Sequence, residues 1–251
     1  MKVIHLNRNS LINDSLVVTI GQFDGIHKAH QMLIKKTVSC AKEHNKKSAV
    51  VTFNPHIDTI LKNTSPNDYI IDLDSKIKLL ESMEVDYLLI INFTKSLANI
   101  KHDDFFLEYF NNLDIFHFIV GFDFTYGFKG LGNVNTICKD YAKKTNLTII
   151  SKQEYSNEKI GSLEIKKALR EGNITKANNL LGYNFFLNAT VINKSDQKTF
   201  ITSTNQTLLK QKTYNVLINN KRYVLTINNE MYIENIDLDN SIKQLKIEFD
   251  N

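Results

Sequence analysis

Two histidines three residues apart, His27 and His30, stand in the segment GQFDGIHKAHQ at residues 21–31. The segment follows an apolar run and opens a helical pattern, and a glycine-rich turn at such a junction exposes backbone N–H groups to an anion. Gly21 and Gly25 would let the backbone approach a ligand closely. Residues three apart share one helix face, so both imidazole rings could reach one phosphate group. For the bare pair, two solvated histidines on an ordinary loop remain the alternative, but the strand before and the helix after favour a phosphate site.

The elements that must position these histidines follow a repeated strand–helix pattern. Five apolar runs are predicted to be strands: residues 16–20, 48–53, 86–92, 116–121 and 146–150. Helical patterns lie between them at residues 31–42, 75–83, 103–111 and 134–143. Strands that are apolar on both faces suit a parallel sheet covered by helices, which predicts a doubly wound α/β fold. Ligands in that fold bind beyond the carboxyl ends of the strands.

The pattern changes near residue 184. Two further helices are predicted to end at Gly172 and Gly182, because glycine commonly follows the last helical residue. From Phe185 onward, short apolar runs alternate with polar turns, which predicts a small antiparallel β-barrel. The sequence therefore predicts two domains, residues 1–184 and residues 185–251.

Composition excludes several functional classes. The 251 residues include 42% hydrophobic and 23% charged side chains, and the net charge is +4. The lysines are scattered along the chain, so we expect no nucleic-acid partner. No apolar stretch approaches the ~18 residues that a membrane-spanning helix needs, and the first residues show no signal-peptide pattern, so we expect no membrane partner and a cytoplasmic protein. Cys40 and Cys138 lie far apart, and no metal site is predicted.

The segment VVTIGQFDGIHKAHQMLI, residues 17–34, resembles the N-terminal motif of the bifunctional prokaryotic FAD synthetases (riboflavin kinase/FMN adenylyltransferase), in which G-N-F-D-G-V-H-x-G-H-Q is typical. Four more segments are similar to that family in the same order: VVTFNPH (50–56), INFTKSLANIKHDDFFLEY (91–109), VGFDFTYGFKGLGNV (120–134) and LREGNITKANNLLGYNF (169–185). Five collinear matches are more specific than any one of them. The resemblance implies an HxGH-type nucleotidyltransferase domain followed by a reduced riboflavin-kinase-like barrel.

The resemblance also implies a reaction, the transfer of AMP from ATP to FMN to give FAD and pyrophosphate. Mg²⁺ is then the expected cofactor, and ATP, FMN and FAD are the expected small-molecule partners. His27 and His30 would be catalytic, as donors to the α-phosphate. The implied ATP-binding residues are Gly21, Phe23, Asp24, Gly25, Ser162 and Lys166. The implied flavin-binding residues are Asn54, Pro55, His56, Asp123, Phe124, Tyr126 and Gly127.

The aromatic and glycine-rich stretch at residues 122–132 has two interpretations. Aromatic rings stack well on a flat, apolar isoalloxazine, so the stretch could bind the flavin. A surface loop with its aromatic side chains packed beneath it is the alternative. The resemblance favours the flavin.

Two departures from the family pattern lie in the first predicted domain. Ala29 stands where the family has glycine between the two histidines. IGSLEIK, residues 160–166, stands where the family has I-S-S-T-x-x-R, so Ser162 remains, Lys166 replaces arginine, and the hydroxyls at positions 161 and 163 are lost. Lysine lacks the bidentate fork of arginine. The alternative function is therefore a catalytically weak or inactive flavin- or nucleotide-binding module that acts as a regulator or scaffold.

A third departure lies in the predicted barrel. The family's G-F-P-T-A-N stretch appears as TFITST, residues 199–204, and the position of its acidic base is occupied by Tyr232. Without that carboxylate the riboflavin hydroxyl has no evident general base, so we expect riboflavin kinase activity to be lost. The barrel would then cover apolar surface or mediate self-association.

Overall fold

The chain packs into two compact units. The computed structural model describes residues 1–62, 68–141, 144–151, 154–155, 158–195, 197–203, 205, 208–239 and 241–250. The first unit comprises Met1–Ser65 and Leu73–Glu154, and the second comprises Pro66–Asp72 and Tyr155–Asn251. This division falls earlier in the chain than the predicted boundary at residue 184. The functional assignment of residues 1–184 and 185–251 as separate domains stays a prediction.

The first unit is built on a six-stranded parallel sheet. Its strands, with those of a short hairpin, are β1 (Lys2–Leu6), β2 (Ser15–Ile20), β3 (Lys47–Asn54), β4 (Tyr87–Asn92), β5 (Asp114–Gly121), β6 (Thr125–Tyr126), β7 (Gly132–Asn133) and β8 (Asn146–Ile150). The sheet order is β1-β4-β3-β2-β5-β8, every neighbouring pair is parallel, and β6 pairs with β7 in the antiparallel sense. The predicted α/β fold is thus confirmed. The edge strand β1 was not predicted, because most of its side chains are not buried and it lacks a continuous apolar run.

Helices cover both faces of this sheet. They are α1 (Lys28–Glu43), α2 (Ile57–Leu61), α3 (Leu73–Ser82), α4 (Lys95–Ala98), α5 (His102–Tyr109) and α6 (Ile137–Asp140). Successive side chains of β2 point to opposite faces, so Val17 packs in a cluster with Ala41 of α1, whereas Val18 packs in the cluster that contains Phe106 of α5. The helix predicted at 134–143 is shorter than expected, and residues 142–143 lie outside the described residues.

The second unit contains two helices and a closed antiparallel barrel. Its elements are β9 (Glu154–Tyr155), which begins at the end of the first unit, β10 (Glu158–Lys159), α7 (Ser162–Glu171), α8 (Ile174–Leu181), β11 (Phe186–Ser195), β12 (Lys198–Thr202), β13 (Lys212–Ile218), β14 (Lys221–Ile227), β15 (Met231–Glu234) and β16 (Gln244–Phe249). The barrel order is β11-β12-β15-β14-β13-β16, which confirms the predicted barrel.

Helix α8 groups with the barrel for a physical reason. The buried Asn178 side chain donates to the carbonyl oxygen of Phe249 at 3.1 Å and accepts from the backbone N–H of Phe185 at 2.7 Å. A buried amide gains from having such partners. Within the part of the chain that is described, no helix has the length and apolar character that crossing a membrane requires.

Candidate functional site

The predicted phosphate-binding motif, residues 21–31, follows β2 directly, and we call residues 21–30 the motif loop. Phe23 has φ 49° and ψ 39°, Gly25 has φ 80°, and Ile26 has φ 37°. A left-handed backbone costs about 1–3 kcal/mol for a residue with a side chain and persists only where the surroundings hold it. Phe23 and Ile26 are each only 1% exposed, so the core holds this conformation. Strain of this kind is concentrated at functional sites.

The strained turn delivers His27 to the start of α1. Its Nδ1 accepts the backbone N–H of His30 at 3.4 Å, which makes His27 the cap of the helix. A ring nitrogen that accepts carries no hydrogen, so the neutral ring of His27 carries its hydrogen on Nε2. The rings of His27 and His30 stack with centroids 3.6 Å apart and an angle of 18°. The structure therefore brings both predicted catalytic residues together.

His30 carries a buried ring nitrogen that has no partner. Its Nδ1 makes no hydrogen bond to any of the described residues. Burial, and then the positive charges that a protonated His27 and Lys76 would place nearby, hold the pKa of His30 well below its usual value, so the ring is neutral at pH 7. A buried polar atom without a partner costs about 1–3 kcal/mol. A hydrogen-bond acceptor brought to this nitrogen would remove this cost.

His56, which was predicted to bind the flavin, lies beside the motif loop. Its Nε2 is 3.8 Å from Oδ2 of the buried Asp24, while its Nδ1 accepts the backbone N–H of Asp58 at 3.1 Å. The second contact caps α2 and leaves the hydrogen of a neutral ring on Nε2, facing the carboxylate. His56 is thus adjacent to a residue predicted to bind ATP, and its own predicted role stays a prediction.

Lys76 of α3 is a component of this site that sequence reasoning missed. Only 5% of it is exposed, and its Nζ donates to the carbonyl oxygen of Gln22 at 2.7 Å and to Oγ1 of Thr52 at 3.3 Å. Burial lowers the pKa of Lys76 to about 8, against the raising effect of Asp24. The helical spacing to Leu80, four residues on and fully buried, is the signal that could have placed Lys76 on the inner face.

Gln22 joins the motif loop to a second region. Its side-chain Nε2 donates to the carbonyl oxygen of Phe53 at 3.1 Å, and its Oε1 accepts the backbone N–H of Ile57 at 3.4 Å. Phe53 and Ile57 both line a cavity of about 610 Å³ within the first unit. Gln22 therefore links the motif loop to the lining of this cavity.

The cavity is mainly aromatic and aliphatic. Its lining includes Phe53, Phe93, Phe105, Tyr126 and Phe128, with the lysines Lys95 and Lys129. Of the predicted flavin residues, Tyr126 and Gly127 line it. Phe124 stacks against the ring of Tyr126 at 5.5 Å and 19°, outside the lining. Asn54, Pro55, His56 and Asp123 also lie outside the lining, so the structure brings together only part of the predicted set.

A buried carboxylate fixes the wall that Tyr126 forms. Oδ2 of Asp140 accepts the Tyr126 hydroxyl at 2.6 Å and lies 2.6 Å from Nδ1 of His102. Burial raises the pKa of Asp140, but the hydrogen bonds from Tyr126 and His102 outweigh it and keep the pKa below its usual value. A Cβ added at Gly127 would lie 2.5 Å from Cα of His102, so this close approach needs glycine. Sequence reasoning did not find this network.

Comparison with known proteins identifies the family. A family model described as FAD synthetase matches residues 10–164. The chain belongs to the FAD synthetase family. It is 32% identical to a bifunctional riboflavin kinase/FMN adenylyltransferase of Listeria monocytogenes over 76% of this chain and 63% of that protein. The corresponding protein of Bacillus subtilis is 34% identical over 76% of this chain and 62% of its own length.

The matches cover only part of the length of these relatives. The aligned region spans less than two thirds of the length of the Listeria and Bacillus proteins. A solved structure named macrolide-efflux protein from Streptococcus pneumoniae superimposes with a TM-score of 0.85, over 99% of this chain and 89% of that one. Its identity to this chain is 22%, so the likeness concerns the fold alone.

The remaining predicted ATP residues of this FAD synthetase family member lie in the second unit. Ser162 is the first residue of α7, and Lys166 is 7% exposed on the same helix. Leu163 is 76% exposed, so it is not a core residue. Oε2 of Glu164 lies 2.8 Å from where a Cβ on Gly161 would stand, which puts a carboxylate against the start of the helix. The ATP-binding roles of Ser162 and Lys166 stay predictions.

The barrel holds a cavity of about 600 Å³. It is lined by Phe200, Ile201 and Thr202 of the TFITST segment together with residues such as Leu209, Ile227 and Met231. Tyr232, which stands at the position of the family's acidic base, pairs across the strands with Phe200 at 5.7 Å, and Nζ of Lys198 lies 4.4 Å from the centre of its ring. Glu230 lines the cavity from an exposed turn.

Proposed function

We propose that this chain transfers AMP from ATP to FMN, forming FAD and releasing pyrophosphate. The observation that carries the proposal is the buried, unpartnered Nδ1 of His30, in a strained strand-to-helix turn that Gln22 joins to an aromatic cavity. The family and its relatives' names support the same reaction class.

The chemistry suits the side chains of the motif loop. An oxygen of the FMN phosphate forms a bond to the α-phosphorus of ATP, the bond from that phosphorus to the bridging oxygen breaks, and pyrophosphate leaves with the electron pair. A phosphate anion is already a nucleophile, so no base is needed to activate it. What the site must supply is position and donors for the charge on the transferred group. Nε2–H of His27 and the neutral ring of His30 can donate in this way.

The cavity suits the flavin ring. An isoalloxazine is flat, large and mostly apolar, and sites for such groups are concave, aromatic and served by few polar groups. The five aromatic rings of the lining meet that need, and Lys95 and Lys129 add positive charge for the phosphate. Residues 122–132 thus contribute to the proposed flavin site through Tyr126 and Gly127 in particular.

Mg²⁺ is proposed to enter with the triphosphate. Among the described residues, no group of three or more His, Cys, Asp or Glu side chains is placed to hold a metal. Mg²⁺ commonly uses one or two carboxylates, several waters and the substrate phosphates, so a single carboxylate such as Asp24 of the motif loop fits it. Its chemistry would be to neutralise charge on the leaving pyrophosphate.

We further propose that the barrel lacks riboflavin kinase activity. The support is that Tyr232 is packed between Phe200 and Lys198 and cannot serve as a carboxylate base. We also propose that the barrel mediates self-association and that the protein is cytoplasmic. A flavin- or nucleotide-binding module of low activity is the second candidate, favoured by the exposed Leu163 at a position where the family has a hydroxyl.

One experiment separates these functions. The full chain is incubated with FMN, ATP and Mg²⁺, and with riboflavin, ATP and Mg²⁺ in a parallel reaction, and flavins and pyrophosphate are quantified by chromatography. We expect FAD and pyrophosphate in equal amounts from the first reaction and no FMN from the second. Flavin and nucleotide binding without product would support the second candidate and contradict the proposed transfer.

A further inference from the structure

Lys76 makes a hydrogen bond that the motif loop does not need. The carbonyl oxygen of Gln22 already accepts Oγ1–H of Thr52 at 3.0 Å, and Lys76 Nζ adds a second donor at 2.7 Å. A neutral side chain at position 76 would leave that carbonyl satisfied. What Lys76 alone brings to this place is therefore a positive charge.

That charge is costly to keep in the core. Burying an ammonium group removes its hydration, and a well-packed apolar side chain often does as well or better for stability. The lowered pKa of Lys76, about 8, is the mark of this cost, and the group still carries its proton at pH 7. The nearby carboxylate of Asp24 offsets only part of this cost, since the pKa of Lys76 stays lowered, and a bound anion would offset more of it.

The field of Lys76 reaches the motif loop. Asp24 raises the pKa of Lys76, and Lys76 in turn lowers the pKa of His30. Its direct contacts are with the backbone of Gln22 and with Thr52, whereas the side chain of Gln22 turns to Phe53 and Ile57 of the aromatic cavity. Lys76 is thus placed to act on the loop that is proposed to hold the nucleotide.

We propose that Lys76 is a positioning residue of the nucleotide site, which supplies a buried positive charge beneath the motif loop and thereby favours the triphosphate of ATP over an empty loop. The inference rests on the proposed function in naming ATP as the anion. It assigns Lys76 to the binding of the nucleotide and not to the binding of the flavin.

The first test is nucleotide binding by the full chain. Lys76→Met removes the charge with similar volume, Lys76→Arg keeps it, and Lys78→Met on the exposed side of α3 is the matched control. We expect Lys76→Met to weaken binding of α,β-methylene ATP at least tenfold and of FMN less than twofold. Lys76→Arg should bind the analogue within threefold of wild type, and Lys78→Met should bind it as wild type does.

The second test is the pH dependence of kcat/KM for ATP. We expect it to fall above about pH 8 in the wild type, as Lys76 loses its proton, and to stay level to pH 9.5 in Lys76→Arg, because a guanidinium remains charged. The other groups near this charge are Asp24 and His30, with His27 and His56 beside them. Carboxylates and imidazoles ordinarily titrate below this range.

Thermal stability separates positioning from mere packing. The folded pKa of Lys76 is lower than that of an exposed lysine, so its protonated form destabilises the fold below about pH 8 and this cost disappears as the pH rises. Lys76→Met should therefore have a Tm at pH 7 equal to or above that of the wild type. A lower Tm together with unchanged binding of the analogue would overturn the proposal and make Lys76 a structural residue.

The outcomes also distinguish this inference from the proposed function. If the wild type forms no FAD but Lys76→Met still loses the analogue, the transfer reaction is wrong and the role of Lys76 stands. If FAD forms and Lys76→Met binds the analogue as the wild type does, the role of Lys76 is wrong and the transfer reaction stands.

Discussion

The starts of helices α1 and α7 differ, although the family resemblance assigns ATP phosphates to both. Helix α1 begins at His27, whose ring caps it, and no acidic residue stands in its first turn. Helix α7 begins after Gly161 with extended backbone, no side chain caps it, and the carboxylate of Glu164 lies against its start. An exposed N-terminus that already faces a carboxylate has less to gain from a phosphate.

The difference shows what turns a helix start into an anion site. Both helices offer backbone N–H groups and a dipole. Only at α1 do the described residues add a left-handed loop held by a buried Phe23, a buried ring nitrogen without a partner, and a lysine beneath the loop. The chemistry is expected to depend on α1 far more than on α7.

The largest expected effect is therefore at His30. Replacing His30 with Asn should lower kcat by ~10²-fold or more, because a donor to developing charge is lost. Ser162→Ala at the start of α7 should lower it only about fivefold, which corresponds to one exposed hydrogen bond. Steady-state rates of FAD formation, with circular dichroism as the folding control, measure both. Equal losses in the two variants would remove the contrast between the helices.

The next effect concerns the wall of the aromatic cavity. Asp140→Ala removes the carboxylate that accepts from the hydroxyl of Tyr126 and faces Nδ1 of His102, and leaves the hydroxyl with Oγ1 of Thr136 alone, which should cost about 1–3 kcal/mol in the free energy of unfolding. It should also raise KM for FMN more than KM for ATP, because Tyr126 lines the cavity. Asp103→Ala on the exposed face of α5 is the control. Urea unfolding curves measure the loss of stability, and the KM values for FMN and for ATP measure the effect on the cavity.

The destabilisation caused by Asp140→Ala is expected to depend on pH. The pKa of Asp140 is lower in the folded chain than its ordinary 3.8, so its stabilisation is present above that value and is lost as the pH falls through the folded pKa. The gap in unfolding free energy between wild type and Asp140→Ala should therefore shrink in that acid range. A gap that stays constant down to pH 2.5 would contradict the charge-assisted network.

A smaller effect is expected at the start of α7. Glu164→Gln removes a negative charge from the helix start and should lower KM for ATP about threefold, the size of an exposed dipole interaction of roughly 0.6 kcal/mol. Glu171→Gln at the other end of α7 is the matched control and should leave KM unchanged. An unchanged KM in Glu164→Gln would place the nucleotide away from this helix.

The smallest effect is expected in the barrel. Tyr232→Phe retains the ring that packs against Phe200 and removes only a hydroxyl, so AMP transfer should change less than twofold. Riboflavin should remain unconverted in wild type and variant alike. FMN produced from riboflavin by the wild type and lost in Tyr232→Phe would show that the barrel has its own catalytic hydroxyl.

Much of this fold was readable from the sequence. The runs at residues 16–20, 48–53 and 86–92 became β2, β3 and β4 because strands buried on both faces must be apolar at nearly every position. The pairing of His27 with His30 was also readable, since a three-residue spacing at a helix start is a local geometric fact. The family motif added the expected chemistry.

Other parts of the site were decided only by tertiary structure. Lys76 meets Gln22 across 54 positions of sequence, Asp140 meets His102 across 38, and Asn178 meets Phe249 across 71. The periodicity of a sequence indicates which face of one helix or strand is buried. It does not indicate which distant residues pack against that face. The partner of a buried polar group is set by how separate elements pack. Local periodicity therefore fixed the positions of the histidines, whereas the packing of α3 and α6 against distant segments decided that Lys76 lies beneath the motif loop and that Asp140 lies behind Tyr126.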